Sequence, residues 1–434
     1  MTRLNRFWLI AAAIMLPVTA AYAIDRLVLS LSCPDCPTET AKLLPLFDGT
    51  QDGLVRVQAN TMEFRARVAG SGNADGEGVI LLHGFPETSI MWEPLLEALR
   101  RDGYHAIAFD QRGYSPGARP LMENAYTKGK LANDVLAIAD AAGFDKFHII
   151  GHDFGGAIAW TVADRHRERV LSLTSLSMPH PLALADALVN PGPQWPASSY
   201  VLFYRLPALP EFIMGFDRAA LLSRWKWQNH PKNQVDEYRR VFSEPGALHA
   251  ALDWYRAFKF RSLDPAGKVR PPTLFLWGEE DGAFSRAAAT DTVNYMDGAY
   301  RLRTVNAGHN LMLEAPDVVE TEILAHLKTA RQVSEHNGLP LWIRRHKRLD
   351  RRVIRERQNA FVSSSRPMAG PFGSAINATK LIRASCVSRA HNGRPMRRSS
   401  IASISAPGPR WHKKAPAATP LFPMGHAITA TVFA

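Results

Sequence analysis

Cysteine is scarce, with three residues in a chain of 434. Cys33 and Cys36 form a Cys-Pro-Asp-Cys pair, and Cys386 stands far from both. So few cysteines exclude a disulfide-rich scaffold. The pair lies in a Pro- and Thr-flanked stretch, not at the start of a helix in a βαβ unit. A local disulfide or two idle thiols is therefore expected, rather than thioredoxin-like redox chemistry. Long apolar runs are also missing. Beyond the N-terminus, no segment has the roughly 20 apolar residues of a membrane-spanning helix. No His-Glu-x-x-His spacing occurs, so a zinc-protease site is excluded and no metal is expected. No G-x-G-x-x-G turn follows a strand, so a dinucleotide cofactor is not expected either. The net charge of +12 looks like a nucleic-acid signal. However, residues 331–434 hold 19 Lys and Arg against 3 Asp and Glu, more than the whole excess. The rest of the chain is net acidic, and its composition gives no nucleic-acid footprint.

The two ends read differently from the middle. Arg3 and Arg6, the apolar stretch Phe7 to Leu16, Pro17 and the small-residue ending Ala21-Tyr22-Ala23 have the form of an export signal over residues 1–23. Export to a periplasm or medium is expected, and a retained membrane anchor is the alternative. Residues 24–53 form a short N-terminal segment. From residue 334 to 434 the periodicity is lost in favour of Arg, Ser, Pro, Ala and Gly, as in Arg344-Arg345-His346-Lys347-Arg348. Such a tail is expected to be disordered. Its charge suits contact with polyanions, and a dispensable extension is the alternative.

Between these ends, strand and helix patterns alternate. Leu54 to Ala69 reads as an antiparallel pair of strands. Gly78 to Leu82, His105 to Phe109, the run at Phe147 and Val170 to Thr174 read as buried parallel strands. Met91–Arg101, Leu131–Ala142 and the residues after Gly156 read as helices. The alternation breaks near Pro179. Residues 179–266, rich in Trp, Tyr, Phe, Leu and Arg, read as an inserted helical lid. Strands at Pro272–Trp277 and Tyr300–Val305 and a helix at Pro316–Thr329 then resume the pattern. The expected architecture is a mostly parallel sheet with helices on both faces, built from residues 54–178 and 267–333 around the lid.

Motifs fall at the strand ends, where such sheets place their sites. They are His83-Gly84-Phe85-Pro86-Glu87, Asp110-Gln111-Arg112-Gly113-Tyr114-Ser115, Gly151-His152-Asp153-Phe154-Gly155-Gly156, Gly278-Glu279-Glu280-Asp281 and Gly308-His309-Asn310. Each has an ordinary reading alone. A lone Asp in a glycine turn is normally a turn former or helix cap. His83 is expected to support its turn, and Asp110 and Arg112 to brace the sheet edge as an ion pair. Together, Asp153, Asp281 and His309 run nucleophile, acid, histidine, the chain order of α/β-hydrolases.

From about Leu54 to Thr329 the chain resembles an epoxide hydrolase of the α/β-hydrolase fold. The resemblance rests on the motifs above and on two lid segments. Ser199-Tyr200-Val201-Leu202-Phe203-Tyr204-Arg205-Leu206-Pro207 is similar to the family's first tyrosine segment, and Ala251-Leu252-Asp253-Trp254-Tyr255-Arg256-Ala257 to its second. It implies Tyr200 and Tyr255 as functional tyrosines, with Tyr204 as competitor for the first role and Trp254 beside them against substrate. Phe154, Arg205 and Asn310 depart from the family's usual Trp, Gln and aromatic, which bears on pocket shape.

The chemistry follows from the residue types. A carboxylate is ionised already and can displace at an epoxide carbon, leaving an ester. The opening ring becomes an alkoxide, which two phenols would receive. His309, held by Asp281, would activate the water that cleaves the ester, and the N–H groups of Phe85 and Phe154 would form the oxyanion hole. The expected partners are a small-molecule epoxide and water, with no cofactor. A haloalkane or haloacid dehalogenase would use the same Asp-His-Asp set. It would want an indole donor after the nucleophile, or an Arg in fluoroacetate-type relatives, and Phe154 stands there. An exported binding protein that does no chemistry is the remaining alternative. A serine esterase is excluded because the turn holds no Ser.

Overall fold

A computed structural model of the chain describes residue 20 and residues 42–73, 76–189, 192–258 and 268–338, with side chains to residue 332. All belong to one compact unit, Met1–Arg355. The stretch read as an export signal, apart from residue 20, lies outside the described residues, as do Cys33, Cys36, Cys386 and the basic tail beyond residue 338. Among the described residues, no helix is long and apolar enough to cross a membrane.

Eight strands form one sheet: β1 (Gly53–Ala59), β2 (Met62–Ala69), β3 (Gly78–Leu82), β4 (His105–Phe109), β5 (Phe147–His152), β6 (Val170–Leu176), β7 (Thr273–Gly278) and β8 (Tyr300–Val305). Their order is β1-β2-β4-β3-β5-β6-β7-β8. The pairs β1/β2 and β2/β4 are antiparallel and the rest are parallel. This is an α/β-hydrolase fold. The continuous apolar runs are explained by burial on both faces: every residue of β3, β4, β5 and β7 is buried. Alternate residues serve opposite cores. Ile80, Leu82, Ile107 and Ile149 join the helices Lys128–Ala141 and Phe154–Arg165 and the lid. Val79, Leu81, Ala106 and Ile150 join Leu95, Leu99, Val319 and Ile323 on the other side.

Three helix boundaries differ from the sequence reading. A short 3₁₀ turn, Ser89–Trp92, precedes the helix Glu93–Arg101, which starts at Glu93 with Pro94 in its first turn. The helix after β5 begins at Phe154, inside the glycine turn. The last helix runs from Pro316 to Gly338, well past Thr329 and past the change of composition at residue 334.

Between β6 and β7 the described residues from Pro181 to Ala257 are mostly helical. Residues 216–219 break the long helix Leu209–Lys226, since Asp217, Arg218 and Ala219 have positive φ. The lid is fastened to the sheet by buried polar groups. Glu237, on the lid helix Lys232–Phe242, accepts from Arg67 Nη2 at 2.6 Å, Arg65 Nη2 at 3.2 Å and Thr88 Oγ1 at 2.7 Å. Trp227 Nε1 donates to the Pro86 carbonyl at 3.0 Å. The expected Asp110–Arg112 pair does not form. Asp110 pairs with Arg65 at 2.5 Å and Arg112 with Asp134 at 2.6 Å, because β4 ends facing β2 while the turn carries Arg112 toward the helix Lys128–Ala141.

Candidate active site

Asp153 sits at the tip of the turn between β5 and the helix Phe154–Arg165, with φ 51° and ψ −124°. A non-glycine residue at positive φ is strained, and such strain gathers at functional sites. The neighbouring glycines make the turn sterically possible. A Cβ on Gly155 would lie 2.2 Å from the Leu82 carbonyl oxygen, and one on Gly84 would lie 2.5 Å from the Asp153 Cβ. The strand-end loop after β3 therefore closes directly onto Asp153. Its Phe85 N–H donates to Asp153 Oδ1 at 3.1 Å, and the Phe154 N–H, at the start of the helix, helps to hold the carboxylate ionised.

On the other side, Asp153 Oδ2 is 3.5 Å from His309 Nε2. His309 Nδ1 is 3.0 Å from Asp281 Oδ2 and 3.1 Å from Oδ1. Asp281 Oδ1 also accepts from the N–H groups of Ala283 at 2.7 Å and Phe284 at 3.1 Å. The three side chains come from loops after β5, β7 and β8, at one edge of the sheet. The histidine loop is clamped in turn. Glu314 accepts from the N–H groups of Gly308 at 2.6 Å and Asn310 at 3.1 Å. The His309 carbonyl accepts from Ser177 Oγ at 2.6 Å.

These contacts shift the ionisations. Burial alone would raise the Asp153 pKa, but the hydrogen bond and charge of His309, the charge of His152 and the Phe154 N–H hold it below the usual carboxylate value. Burial alone would lower the His309 pKa, but the charge of Asp281 and the contact with Asp153 push it well above the usual value. Both shifts favour the ion pair of Asp153 and His309 over its neutral form.

Tyr200 and Tyr255 reach the cavity from the lid. A cavity of about 320 Å³ lies above Asp153, and both phenols line it together with His309, Phe85 and Lys226. Both also line an apolar slot with Phe154, Met178, Leu184, Val201, Phe258 and Phe284. Burial, followed by the Asp153 charge at Tyr200 and by Tyr200 itself at Tyr255, raises both phenol pKa values well above 10. Each is a protonated donor at neutral pH. Arg205, the departure from a common Gln, ties the two tyrosine segments together: its Nη1 donates to the Tyr255 carbonyl at 2.7 Å. Phe154 packs edge-on against Tyr255, with ring centroids 4.6 Å apart.

Two expected residues are not brought to the cavity. Trp254 lines neither space. It is buried one position from Tyr255 on the helix Ala247–Ala257, so its ring points elsewhere, and its Nε1 donates to the Arg112 carbonyl at 2.8 Å. Tyr204 is buried behind Tyr200 and Tyr255, with centroids 5.3 and 4.9 Å away, and also lines neither space. Burial and the Asp153 charge push its phenol up to about 12. His83 supports its turn: Nδ1 lies 2.9 Å from the Gly84 carbonyl, and Nε2 accepts from the Gln111 N–H at 3.0 Å.

A second carboxylate–histidine group was not anticipated. Glu87 lies 3.2 Å from His152 Nδ1 and 3.4 Å from His230 Nε2, and His152 Nε2 lies 3.0 Å from the His309 carbonyl. Burial would raise the Glu87 pKa, but the two histidines hold it far below the usual value. Nothing in local sequence pairs Glu87 with a lid histidine 143 positions away. Among the described residues, no cluster of His, Cys, Asp and Glu has the form of a metal site.

Comparison with known proteins places this geometry. Residues 78–316 match the family model described as alpha/beta hydrolase fold. The chain is 33% identical to the AB hydrolase superfamily protein YfhM of Bacillus subtilis, over 64% of this chain and 99% of that protein. It is 32% identical to Epoxide hydrolase 4 of Mus musculus, over 58% of this chain and 72% of that protein. A solved structure described under novel epoxide hydrolases from metagenomes of hot environments superposes with a TM-score of 0.56 at 28% identity, covering 64% of this chain and 99% of that one.

Proposed function

The chain belongs to the α/β-hydrolase fold family as one of its epoxide hydrolases, and from that premise we propose that it opens an epoxide to a vicinal diol through an ester on Asp153. Asp153 Oδ2 attacks one ring carbon, and the C–O bond to the ring oxygen breaks. Tyr200 and Tyr255 donate to that oxygen as it becomes an alkoxide. Oδ1 keeps the Phe85 N–H, is joined by the Phe154 N–H, and becomes the ester carbonyl oxygen. Esterification removes the Asp153 charge, so the His309 pKa falls; the Nε2 proton passes to the alkoxide, which becomes a hydroxyl, and the neutral imidazole can then take a proton from water. That water attacks the ester carbonyl carbon and the developing oxyanion gathers on Oδ1. As the intermediate collapses, His309 returns its proton to the departing oxygen, the diol leaves, and the remaining carboxyl proton passes back to His309, restoring the starting pair. Asp281 fixes the His309 tautomer with the proton on Nδ1.

One observation carries this reading. A single carboxylate is held on one oxygen by the Phe85 N–H at 3.1 Å, faces a histidine with the other at 3.5 Å, and shares its cavity with two protonated phenols. The phenols also favour an epoxide over a halide, because the opening ring needs donors to oxygen and the residue after Asp153 is Phe.

The mutant His309→Gln tests it. Attack does not need the histidine, so this protein should react with styrene oxide and gain the mass of one epoxide on the peptide carrying Asp153. Asp153→Ala should gain nothing. If the unaltered protein makes diol while His309→Gln never becomes labelled, the ester route fails.

A further inference from the structure

We infer that the epoxide this chain opens carries a carboxylate, held at the polar end of the cavity by Lys226 with Asn310 and His230 beside it. This rests on the proposed reaction at Asp153 and adds the chemical class of its substrate. Lys226, His230 and Asn310 line both the cavity above Asp153 and an adjoining recess of about 410 Å³. Lys226 ends the lid helix Leu209–Lys226, and the next residue, Trp227, is buried and anchored to the Pro86 carbonyl. The Lys226 ammonium is thereby set 5.7 Å from the ring centroid of Tyr200, one of the two ring-opening phenols.

The carboxylates around the cavity are all engaged. Asp153 and Asp281 share His309, Glu87 lies between His152 and His230, and Glu314 takes the N–H groups of Gly308 and Asn310. Lys226 has no carboxylate partner among the described residues. The Asn310 side-chain amide makes no hydrogen bond there, and His230 Nδ1 is buried without a partner. An exposed ammonium without a carboxylate partner, beside an amide and an imidazole, suits a carboxylate. At the opposite end the slot formed by Met178, Leu184, Val201, Phe258 and Phe284 is apolar. That slot holds only about 20 Å³, so the substituent carrying the carboxylate lies on the Lys226 side of the ring. Because the Lys226 ammonium lies beside the Tyr200 ring, whose phenol receives the ring oxygen, an epoxide with its carboxylate across an aryl spacer is a suitable probe.

Initial rates with 4-(oxiran-2-yl)benzoate and the matching neutral amide test the inference. The unaltered protein should prefer the carboxylate by about tenfold or more in kcat/KM, mostly through KM, as a charge-assisted contact supplies. Lys226→Gln should bring that ratio close to one, Lys226→Arg should keep it, and 0.5 M salt should reduce it in the unaltered protein. A ratio near one, or one unchanged in Lys226→Gln and by salt, overturns the inference. Diol formed from the amide in that case leaves the reaction at Asp153 standing. No diol from the benzoate, the amide or styrene oxide overturns both.

Discussion

Replacing Asp281 by Asn should damage the second chemical step far more than the first. Asp281 Oδ1 is fixed by two backbone donors, Ala283 N–H at 2.7 Å and Phe284 N–H at 3.1 Å. In Asp281→Asn the amide oxygen must stay with those donors, since an NH₂ group there would face two N–H groups. The NH₂ group is then turned toward His309 Nδ1, where Oδ2 now sits at 3.0 Å. Nδ1 must accept, so the ring proton moves to Nε2, the nitrogen that should take the proton from water. An Asp-to-Asn change that imposes the wrong histidine tautomer costs about 10⁴ in rate elsewhere, or about 5.5 kcal/mol of barrier. Ester formation needs no proton from His309 and should slow by less than about tenfold. Rapid-quench mass spectrometry under single-turnover conditions reads both steps, and the ester should accumulate nearly stoichiometrically. Equal slowing of both steps, or a loss in ester cleavage under tenfold, would refute the tautomer argument.

Other consequences follow from the same geometry. Tyr255→Phe removes one donor to the opening ring and should slow ester formation by about 10²–10³, leaving cleavage of a preformed ester little changed, as separate single-turnover phases would show. Glu237→Gln takes the buried charge from Arg65 and Arg67 and should destabilise the protein by about 3–5 kcal/mol in a denaturant melt; a loss under 1 kcal/mol would mean that the lid is held by other contacts. His309 is raised by two carboxylates in the free protein and by Asp281 alone in the ester. Ester cleavage should therefore rise with pH through a lower pKa than the free His309 shows by NMR, and equal values would contradict the charge argument.

Much of this site was legible in the chain because its parts are strand-end motifs. Asp153, Asp281 and His309 each follow a buried apolar run, and a parallel sheet brings such ends to one edge. The oxyanion candidates Phe85 and Phe154 came from the same rule. Lid positions were less legible. Trp254 and Tyr255 are adjacent in sequence, yet helix geometry turns them about 100° apart, so only Tyr255 lines the cavity. Tyr200 and Tyr204 share a helix face, and only their depth distinguishes them. Glu87, His152 and His230 were not legible as a group, because the contact depends on how the lid closes over the loop after β3. The same is true of Arg65, Arg67 and Glu237, and of the Arg65–Asp110 and Arg112–Asp134 pairs that replace the expected Asp110–Arg112 bridge.

Isotope labelling tests the ester on Asp153 most directly. A single turnover with protein in excess, run in H₂¹⁸O, separates the two sources of the new diol oxygen. If Asp153 attacks and water then cleaves the ester at its carbonyl carbon, the first diol carries the Asp153 oxygen. The account predicts a diol without ¹⁸O and one ¹⁸O in the carboxylate of the Asp153 peptide. A diol that carries ¹⁸O in that first turnover, over an unlabelled Asp153, would contradict it and make Asp153 a base for direct attack by water.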